Sequence, residues 1–419
     1  MDAGPALVFV NRYYRPDESA TSQMLTDLAE QLVARGIKVR IICSRQLYED
    51  PDARLAHSEV LNGVTIRRVW TSRFGRRSLA GRACDYASFY LSAAVAMFRM
   101  LKPGDIVIAK TDPPMISVVA GWVAWLRGAI LVNWLQDVFP EVAAKLSALA
   151  IPGWLYQPLL AVRNQSLRRA RVNVVIGERM AQHVARIADR ERVRVVENWA
   201  DGAMITPRLP GASILRTALG LEGSFVVGYS GNLGRAHEYT TMLDAASQLA
   251  SSPHIVFLFV GGGAKLGDLR REVEKRGLPN FRFLPYQPRV QLSDSLAAAD
   301  VHLACLLPEL EGLIVPSKAY GVLAAARPLI SIGDPEGELA RLVRTNRCGA
   351  AVSCGDGSAL ATEILRLHAD RDECAAMGQR ARAAFERQYS LESAVRRWGD
   401  LLGSLDVSFA QTLQEVRGA

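Results

Sequence analysis

A carboxylate, a Ser-Lys pair and a small-residue stretch lie together in residues 311–330, which read EGLIVPSKAYGVLAAARPLI. Pro316 ends an apolar run, and Ser317 follows it at a position that favours a helix N-cap. We therefore expect a helix over residues 318–326 with free N–H groups at its start and the Lys318 ammonium beside them. Such a site attracts an anion, and a nucleoside diphosphate is a common anion that enzymes hold in this way.

A second polar loop, YSGNLGRAHEY at residues 229–239, follows a predicted strand at its carboxyl end, where open α/β sheets bind ligands. Its glycines permit close backbone approach, and its polar side chains could reach phosphate or sugar. A glycine run follows the next strand. The residues expected to bind a ligand here are Gly231, Asn232, Arg235, His237, Gly262 and Gly263. The alternative is a plain strand-to-helix turn with a solvated arginine, since the loop is not GxGxxG.

Polar side chains also follow three predicted strands in the first half of the chain. RYYRPDESATS comes after the first strand, whereas TDPPMIS and NWLQDVFPE follow two later ones. The residues expected at this edge are Tyr14, Arg15, Glu18, Ser19 and Thr21, with Asp112, Asp137 and Glu141 as acids or ligands of an acceptor hydroxyl. A helix cap explains any one of these carboxylates, but three on one edge favour a site. No HExxH, G-x-S-x-G or metal-ligand spacing is present, so neither a hydrolase nor a metal site is expected.

The elements that would position these residues alternate between strand and helix in both halves, which predicts an α/β protein of two doubly wound, Rossmann-like domains. A length of 419 residues is typical of two domains. We place the domains at residues 1–198 and 213–390, separated by an aperiodic linker at residues 199–212. Residues 391–419 are predicted to form a helix that packs back on the first domain.

Most of the net charge of +8 comes from one region, residues 67–102, where eight basic residues accompany the single acid Asp85. These are Arg67, Arg68, Arg73, Arg76, Arg77, Arg82, Arg99 and Lys102. They flank an apolar segment, residues 84–101, whose charge-free part is too short to span a membrane. Its aromatic residues are Tyr86, Phe89, Tyr90 and Phe98. This composition suits a helix that lies on anionic lipid, and a core-facing helix beside a solvated basic loop fits it equally well.

Two further compositional features concern partners and location. Six cysteines are scattered without paired or metal-ligand spacing, and no signal peptide precedes the first strand, so we expect reduced thiols and a cytoplasmic chain. No basic-aromatic motif of the known RNA-binding modules is present, so we expect no nucleic-acid partner.

Five segments, taken in order along the chain, resemble glycosyltransferase family 4, whose members are retaining enzymes of the GT-B fold. They are YYRPDESATSQMLTDLAEQLVARG, WLQDVFPE, YSGNLGR, the glycine run and PSKAYGVLAAARPLI. The resemblance covers essentially the whole chain and is greatest to the bacterial branch of colanic acid, capsule and O-antigen assembly, which includes fucosyl and N-acetylfucosaminyl transferases. It implies two Rossmann-like domains facing across a cleft, with a nucleotide sugar in the second, an acceptor in the first, and no metal or cofactor.

The resemblance also implies roles for single residues. Arg235 and the Ser317-Lys318 pair would hold the leaving diphosphate, and Glu311 would lie near the donor sugar. The residues that we predict to be catalytic are Asp137, Glu311, Lys318 and Arg235. The family's second glutamate, separated from the first by seven intervening residues, is missing. Its place falls on Ala319 when counted from Glu311, or on Gly321 when aligned on Pro328. We expect Lys318 and Tyr320 to rebuild the nucleotide contact.

The predicted function is a retaining transfer of a hexose, with deoxy and N-acetylated hexoses included, from a nucleoside-diphosphate sugar to a polyprenyl-linked acceptor. The enzyme would act peripherally at the inner face of the plasma membrane, in extracellular polysaccharide or O-antigen biosynthesis. One alternative is a nonhydrolysing nucleotide-sugar epimerase, and another is a catalytically silent GT-B protein that only binds nucleotide sugar or acts as a scaffold. A dinucleotide oxidoreductase is disfavoured, because neither half has GxGxxG after its first strand.

Overall fold

The computed structural model describes residues 4–75, 79–146 and 151–418. It divides into two compact units. The first comprises Met1–Glu197 with Ala394–Ala419, and the second comprises Asn198–Ser393. Each unit is built on its own mostly parallel sheet, so the predicted fold class of two Rossmann-like α/β domains is confirmed.

The sheet of the first unit has eight strands in the order β3-β4-β2-β1-β5-β6-β7-β8, and only β3 runs antiparallel to its neighbour. The strands are β1 (Leu7–Val10), β2 (Val39–Ser44), β3 (Ser58–Leu61), β4 (Val64–Val69), β5 (Ile106–Lys110), β6 (Ile130–Trp134), β7 (Val172–Val175) and β8 (Val193–Val195). Every residue of β1 and β5 is buried, as expected for central parallel strands covered on both faces. The strand order reverses between β1 and β5, which makes their carboxyl ends the place where a ligand is expected.

Helices cover both faces of this sheet. They are α1 (Ala20–Val33), α2 (Leu79–Met100), α3 (Ile116–Arg127), α4 (Glu141–Lys145), α5 (Gly153–Arg169) and α6 (Glu178–Val184). On one face, Phe89 and Met97 of α2 and Val123 of α3 pack into a core with residues of β1 and β5. Gly128, at φ 66°, ends α3 as a left-handed cap, a conformation that favours glycine.

The predicted basic, aromatic segment is only partly a surface feature. Phe89 is fully buried, and the Tyr90 hydroxyl donates to the carbonyl of Pro114. Of the four aromatic residues expected at a membrane, Phe98 alone is exposed as a large apolar side chain. Arg68 is also buried, where it pairs with Glu59 and donates to backbone carbonyls, so it cannot contribute to a basic surface. Arg76 and Arg77 lie outside the described residues.

The sheet of the second unit has six parallel strands in the order β11-β10-β9-β12-β13-β14. They are β9 (Phe225–Asn232), β10 (Ile255–Gly262), β11 (Phe281–Leu284), β12 (Val301–Cys305), β13 (Leu329–Gly333) and β14 (Gly349–Ser353). The order reverses between β9 and β12, so the loops at the carboxyl ends of these two strands border the expected ligand crevice. Tyr229 of β9 stacks on Phe259 of β10 with ring centroids 4.9 Å apart, so aromatic packing holds the Tyr229 ring in place near this edge.

The helices of the second unit are α7 (Ile214–Ala218), α8 (Thr240–Gln248), α9 (Leu266–Lys275), α10 (Leu292–Ala297), α11 (Lys318–Ala324), α12 (Glu338–Asn346), α13 (Gly357–Ala369) and α14 (Arg371–Ala384). The stretch predicted as a linker, residues 199–212, belongs to this unit. Ala200 pairs with Ser390, and the N–H of Thr206 donates to the Ser293 hydroxyl at 2.9 Å. Those bonds hold the stretch against the domain.

Two helices end the chain, α15 (Leu391–Leu405) and α16 (Val407–Gly418). From Ala394 onward they belong to the first unit. Trp398 of α15 packs edge-on against Trp134 at the end of β6, with ring centroids 5.0 Å apart, and Arg397 pairs with Glu197. Within the described residues, no helix is long and apolar enough to cross a membrane.

Candidate active site

Lys318 occupies the reversal point of the second sheet. Its ammonium donates to the Tyr229 hydroxyl and, at 3.1 Å, to the carbonyl of Asn232 at the end of β9. The same nitrogen lies 4.1 Å from the centroid of the Tyr229 ring, a favourable cation–π distance. An ammonium has three N–H bonds, so these two contacts fix its position and leave one donor for a ligand.

The surroundings of Lys318 also set its protonation. Burial lowers the pKa of the ammonium to about 8, although the nearby Cys305 opposes this shift. The group is therefore mostly charged at neutral pH but loses its charge in mildly alkaline solution. A fixed positive charge in a poorly solvated position binds an anion more strongly than a solvated lysine does.

His237 lies on the loop after β9 and is neutral at physiological pH. Burial first, and then the charge of Lys318, lower its pKa to about 3. Nδ1 of His237 lies 3.0 Å from the N–H of Gly234 and 3.3 Å from the carbonyl of the same residue, so it accepts from the N–H in one ring tautomer and donates to the carbonyl in the other. Lys265, two residues after the glycine run, donates to the His237 carbonyl at 2.7 Å. His237 is thus an uncharged ring beside two cations, and in the tautomer with the proton on Nε2 it offers an N–H donor to a ligand.

The three glycines at the end of β10 allow two loops to touch. A Cβ on Gly261 would lie 2.2 Å from the carbonyl oxygen of Gly231, and one on Gly263 would lie 2.4 Å from that of Leu233. Gly262 lies under the Tyr286 ring, where a Cβ would come within 2.9 Å. Close packing of the β9 and β10 loops therefore explains the glycine run, and ligand contact by Gly262 and Gly263 stays a prediction.

Asn232 and Arg235 are both exposed at this edge. The Asn232 side chain lies between the two glycine loops, with Oδ1 2.5 Å from the place of a Cβ on Gly263. The Arg235 side chain has no hydrogen-bond or ion-pair partner among the described residues, so its guanidinium is available to a ligand. Gly231, at φ 121°, leaves open space toward Lys318, since a Cβ there would meet only the Lys318 Cε at 3.9 Å.

Glu311 has a structural partner of its own. Its Oε2 accepts the N–H of Glu338 at 3.1 Å, at the start of α12, and its Oε1 lies so near Gly337 that a Cβ there would approach to 2.3 Å. A carboxylate at a helix N-terminus is stabilised by the helix dipole. Helix capping therefore accounts for the position of Glu311, and its role near a donor sugar stays a prediction.

The start of α11 offers fewer free N–H groups than the sequence suggested. Ser317 is the N-cap residue, but its side chain makes no capping bond. The N–H groups of Ala319 and Tyr320 bond to the carbonyls of Pro316 and Ser317, so they are already used. The helix also ends at Ala324 rather than at residue 326. The positive charge at this point comes from the Lys318 side chain.

The other side chains of α11 face the interior. Tyr320 is 1% exposed and packs on Tyr389 with ring centroids 5.1 Å apart, a placement that argues against its predicted donor contact. Ala319 is fully buried, and a Cβ on Gly321 would make ordinary contact with Ile205. A glutamate at position 319 would thus be buried, and Lys318 is the residue that this helix presents to the loop after β9.

Asp112 and Asp137 meet at the reversal point of the first sheet, after β5 and β6. Burial, and then the negative charge of Asp112, raise the pKa of Asp137 to about 7, while a hydrogen bond with Thr111 opposes the shift. Oδ1 of Asp137 has no hydrogen-bond partner among the described groups. A carboxylate with a free oxygen and a pKa near neutrality can accept a hydrogen bond or a proton from a bound hydroxyl.

Two buried cations at the same edge were missed by sequence reasoning. Arg12, after β1, pairs with Asp85 at 3.7 Å and packs 5.3 Å from the Tyr86 ring centroid. Lys110, at the end of β5, donates to the carbonyl of Thr21 at 2.9 Å and lies over the Trp134 ring. Burial lowers the pKa of Lys110 to about 7, although Asp112 opposes the shift. Both residues lie at or just after the carboxyl end of a buried strand, and this sequence position could have marked them as candidate site residues.

Three predicted acceptor residues are engaged elsewhere in the first unit. Tyr14 is buried to 2% exposure, and Arg15 pairs with Glu30 of α1 at 3.0 Å. The N–H of Ser19 donates to Asp17 at 2.9 Å. These bonds order the loop that leads into α1. None of these bonds joins Tyr14, Arg15 or Ser19 to Asp112, and their contact with an acceptor stays a prediction.

Glu141 begins α4 and belongs to an ionic cluster rather than to the Asp112 group. It pairs with Arg163 of α5 and lies 3.3 Å from Nε2 of His183. Burial alone would raise its pKa, but the bonds from His183 and Arg163 lower it. This cluster ties α4 to its neighbouring helices. Among the described residues, no three His, Cys, Asp or Glu side chains converge as a metal site.

Two family models match the chain. Residues 19–199 match the glycosyl transferase 4-like domain, and residues 214–384 match the glycosyl transferases group 1 domain. The two matches follow one another and together span most of the sequence.

Two curated relatives are similar over most of their length. A probable glycosyltransferase of Pseudomonas aeruginosa, WbjE, is 26% identical over 314 residues, 74% of this chain and 76% of the relative. WcaI of Escherichia coli K12, a putative colanic acid biosynthesis glycosyl transferase, is 24% identical over 345 residues, 79% of this chain and 84% of the relative.

Solved structures share the fold at low identity. Sucrose-phosphate synthase of Thermosynechococcus elongatus superposes with a TM-score of 0.76 at 18% identity, covering 96% of this chain and 100% of its own. HepE of Anabaena, solved with UDP and glucose, superposes with a TM-score of 0.72 at 16% identity, with coverage of 96% and 100%. Both likenesses support the two-domain fold described above.

Proposed function

Because the chain belongs to the glycosyltransferases, with a 4-like domain followed by a group 1 domain, we propose that it is a retaining hexosyltransferase. It would move a hexose from a nucleoside-diphosphate sugar to a polyprenyl-linked acceptor. The relatives are named for a glycosyltransferase role, in one case in colanic acid biosynthesis, which favours extracellular polysaccharide or O-antigen assembly as the setting.

The observation that carries the donor assignment is the Lys318 ammonium, fixed by Tyr229 and the Asn232 carbonyl at the reversal point of the second sheet. Arg235 and the neutral His237 ring lie on the loop after the same strand, and that ring is a donor when its proton is on Nε2. Two cations and a neutral donor suit a diphosphate, whose oxygens accept all three. HepE, which shares the fold, was solved with UDP and glucose, and this favours a nucleotide sugar as the donor.

The proposed chemistry uses this charge in the bond-breaking step. The bond between the sugar C1 and the diphosphate oxygen breaks, the acceptor oxygen attacks C1 from the same face, and the acceptor proton passes to the leaving diphosphate. Negative charge grows on the diphosphate as the bond lengthens, so a fixed ammonium stabilises the transition state more than the bound substrate. Such a mechanism needs no protein nucleophile, and the anomeric configuration of the sugar is retained.

Asp137 is proposed to orient the acceptor hydroxyl, supported by its unpaired Oδ1 and its raised pKa. Burial, and then the negative charge of Asp112, keep that pKa near neutrality. The basic and aromatic residues of the first unit are consistent with an acceptor held at an anionic membrane, where the enzyme would bind peripherally.

The test is product analysis with and without an acceptor. The protein is incubated with UDP-, GDP- or dTDP-hexoses and a polyprenyl-diphosphate saccharide, and products are identified by mass spectrometry and by the anomeric coupling constant in NMR. We expect a saccharide longer by one hexose, with the anomeric configuration of the donor. Interconversion of nucleotide sugars without any acceptor would instead identify an epimerase.

A silent nucleotide-sugar-binding protein is the second candidate, because α11 buries Ala319 where the family has a glutamate. It would bind a donor tightly and transfer nothing to any acceptor.

A further inference from the structure

Three helices of the first unit, α2, α3 and α5, expose large apolar side chains to solvent. These residues, which we call the outer helical face, are Leu91, Val95 and Phe98 of α2, Trp122, Trp125 and Leu126 of α3, and Trp154 and Val162 of α5. Trp125 is 71% exposed and Trp154 is 78% exposed. Single exposed apolar residues are ordinary, but a set that includes three tryptophans on adjacent helices indicates a binding surface.

The outer helical face is distinct from the core-facing side of the same helices. On α2, Phe89, Ala93 and Met97 pack inward. Leu91, Val95 and Phe98, at i, i+4 and i+7, form a second apolar stripe on the opposite side of the helix. A surface helix of a globular domain needs only one such stripe, so the second has a separate purpose.

Ring contacts join the helices into one surface. The Arg127 guanidinium of α3 lies 5.1 Å from the ring centroid of Phe98 on α2. The Arg169 guanidinium of α5 lies 5.5 Å from the ring of Trp122 on α3. Trp122 and Trp125 pack edge to face at 6.0 Å. Arginines of one helix therefore contact aromatic rings of the next helix, from α5 to α3 and from α3 to α2.

The charge of this surface has one sign. The three helices contain a single acid, Asp85, which is 3% exposed and paired with Arg12. The exposed charged residues on these helices or within two positions after them are basic, namely Arg99, Lys102, Arg168, Arg169 and Arg171. Helices that present apolar and basic groups and contain no exposed carboxylate of their own are complementary to an anionic lipid headgroup layer.

We propose that the outer helical face binds the surface of an anionic lipid bilayer. Tryptophan favours the headgroup level, where its ring is apolar and its N–H is hydrated, and arginine there meets lipid phosphate. A second copy of the chain is a poorer occupant, since a two-fold interface would set these arginines against each other. The inference rests on the proposed function, because a polyprenyl-linked acceptor would be presented at the same bilayer.

Sedimentation with vesicles tests the proposal directly. The full chain is mixed with one of two kinds of vesicle. One contains phosphatidylcholine alone, and the other contains phosphatidylcholine with about 30% of the anionic lipid phosphatidylglycerol. We expect the wild type to bind the anionic vesicles. The affinity for these vesicles should fall by about tenfold or more in the Trp125→Gln, Leu126→Gln double variant. It should fall by about fivefold for each charge removed in Arg99→Gln and Lys102→Gln. The matched control is the Ile214→Gln, Val290→Gln double variant, which removes apolar side chains exposed by 74% and 85% in the second unit. It should bind like the wild type.

Three results would overturn the proposal. They are wild-type binding to neither vesicle, equal binding by the Trp125→Gln, Leu126→Gln variant, and a wild-type dimer in sedimentation equilibrium that this variant converts to monomer. Variants are compared only after circular dichroism and thermal melting show the wild-type fold. Donor binding is measured separately, without vesicles. A protein that sediments with anionic vesicles yet binds no nucleotide sugar would refute the proposed function and leave the docking surface standing.

Discussion

Replacing Lys318 by methionine removes a positive charge that the second domain holds at the reversal point of its sheet. Methionine keeps a similar length and apolar stem, so packing against the Tyr229 ring is largely preserved. A hydrogen bond to a charged group contributes about 1.5–3 kcal/mol, which corresponds to a factor of about 10 to 150. Because Tyr229 and Asn232 already hold the ammonium in place, little side-chain entropy is lost on binding, and we expect a value near the upper end.

The affinity for the donor should depend on pH, because the charge of Lys318 does. With a pKa of about 8, Lys318 is charged below that pH and neutral above it. A neutral amine cannot stabilise a diphosphate, so donor affinity should fall by about tenfold per unit above pH 8 until the whole contribution is lost. Lys318→Arg keeps a positive charge to far higher pH, so its affinity should stay level between pH 8 and 10.

The assay is isothermal titration of the nucleoside diphosphate, followed by kcat and KM for the sugar donor. Lys275→Met serves as the control, because Lys275 is an exposed lysine of α9 that only pairs with Glu272 at 3.7 Å. A Lys318→Met protein with wild-type affinity and kcat would refute the proposed role of the ammonium. So would a fall in affinity above pH 8 that persists unchanged in Lys318→Arg.

Three further substitutions test other parts of the site. Asp137→Asn should lower kcat by about 100-fold and abolish the rise in rate through about pH 7, where the wild-type carboxylate loses its proton. A pH–rate profile that the substitution leaves unchanged would exclude Asp137 as the group that orients the acceptor hydroxyl. His237→Gln, which retains a neutral N–H donor, should keep donor affinity within about threefold, whereas His237→Phe should weaken it by about tenfold in titration calorimetry. Gly263→Ala should destabilise by about 2–4 kcal/mol in urea unfolding, because φ is 128° and a Cβ would strike a carbonyl at 2.4 Å, while Gly267→Ala in α9 should not destabilise.

The alternation of strands and helices was predictable because buried parallel strands read as short apolar runs. Leu7–Val10 and Ile255–Gly262 are examples, and both form central strands. Polar residues at the carboxyl ends of such strands were predictable for the same reason. This argument located Asp112 and Asp137 on one edge and the loop after β9 on another, since strand direction alone decides which end of the sheet a loop occupies.

Side-chain direction could not be predicted from the same pattern. Tyr14 and Tyr320 stand next to polar loops, yet both are buried, because the packing of neighbouring elements decides which way an aromatic ring turns. Glu311 is held by the N–H of Glu338, a residue 27 positions later that no local pattern connects to it. The outer helical face was likewise concealed, since Phe89 and Phe98 look alike in sequence and differ only in which side of α2 they occupy.

Thermal melting of the wild type and of Lys318→Met with a panel of nucleoside-diphosphate sugars tests the central claim most directly. At a concentration of about 100 times Kd, a bound donor stabilises the folded state by about 2.7 kcal/mol, a rise of about 5–10 °C in Tm for a domain of this size. We predict such a rise for the sugars of one nucleoside diphosphate, and a much smaller one in Lys318→Met. No rise with any nucleotide sugar, or an equal rise in both proteins, would contradict the account.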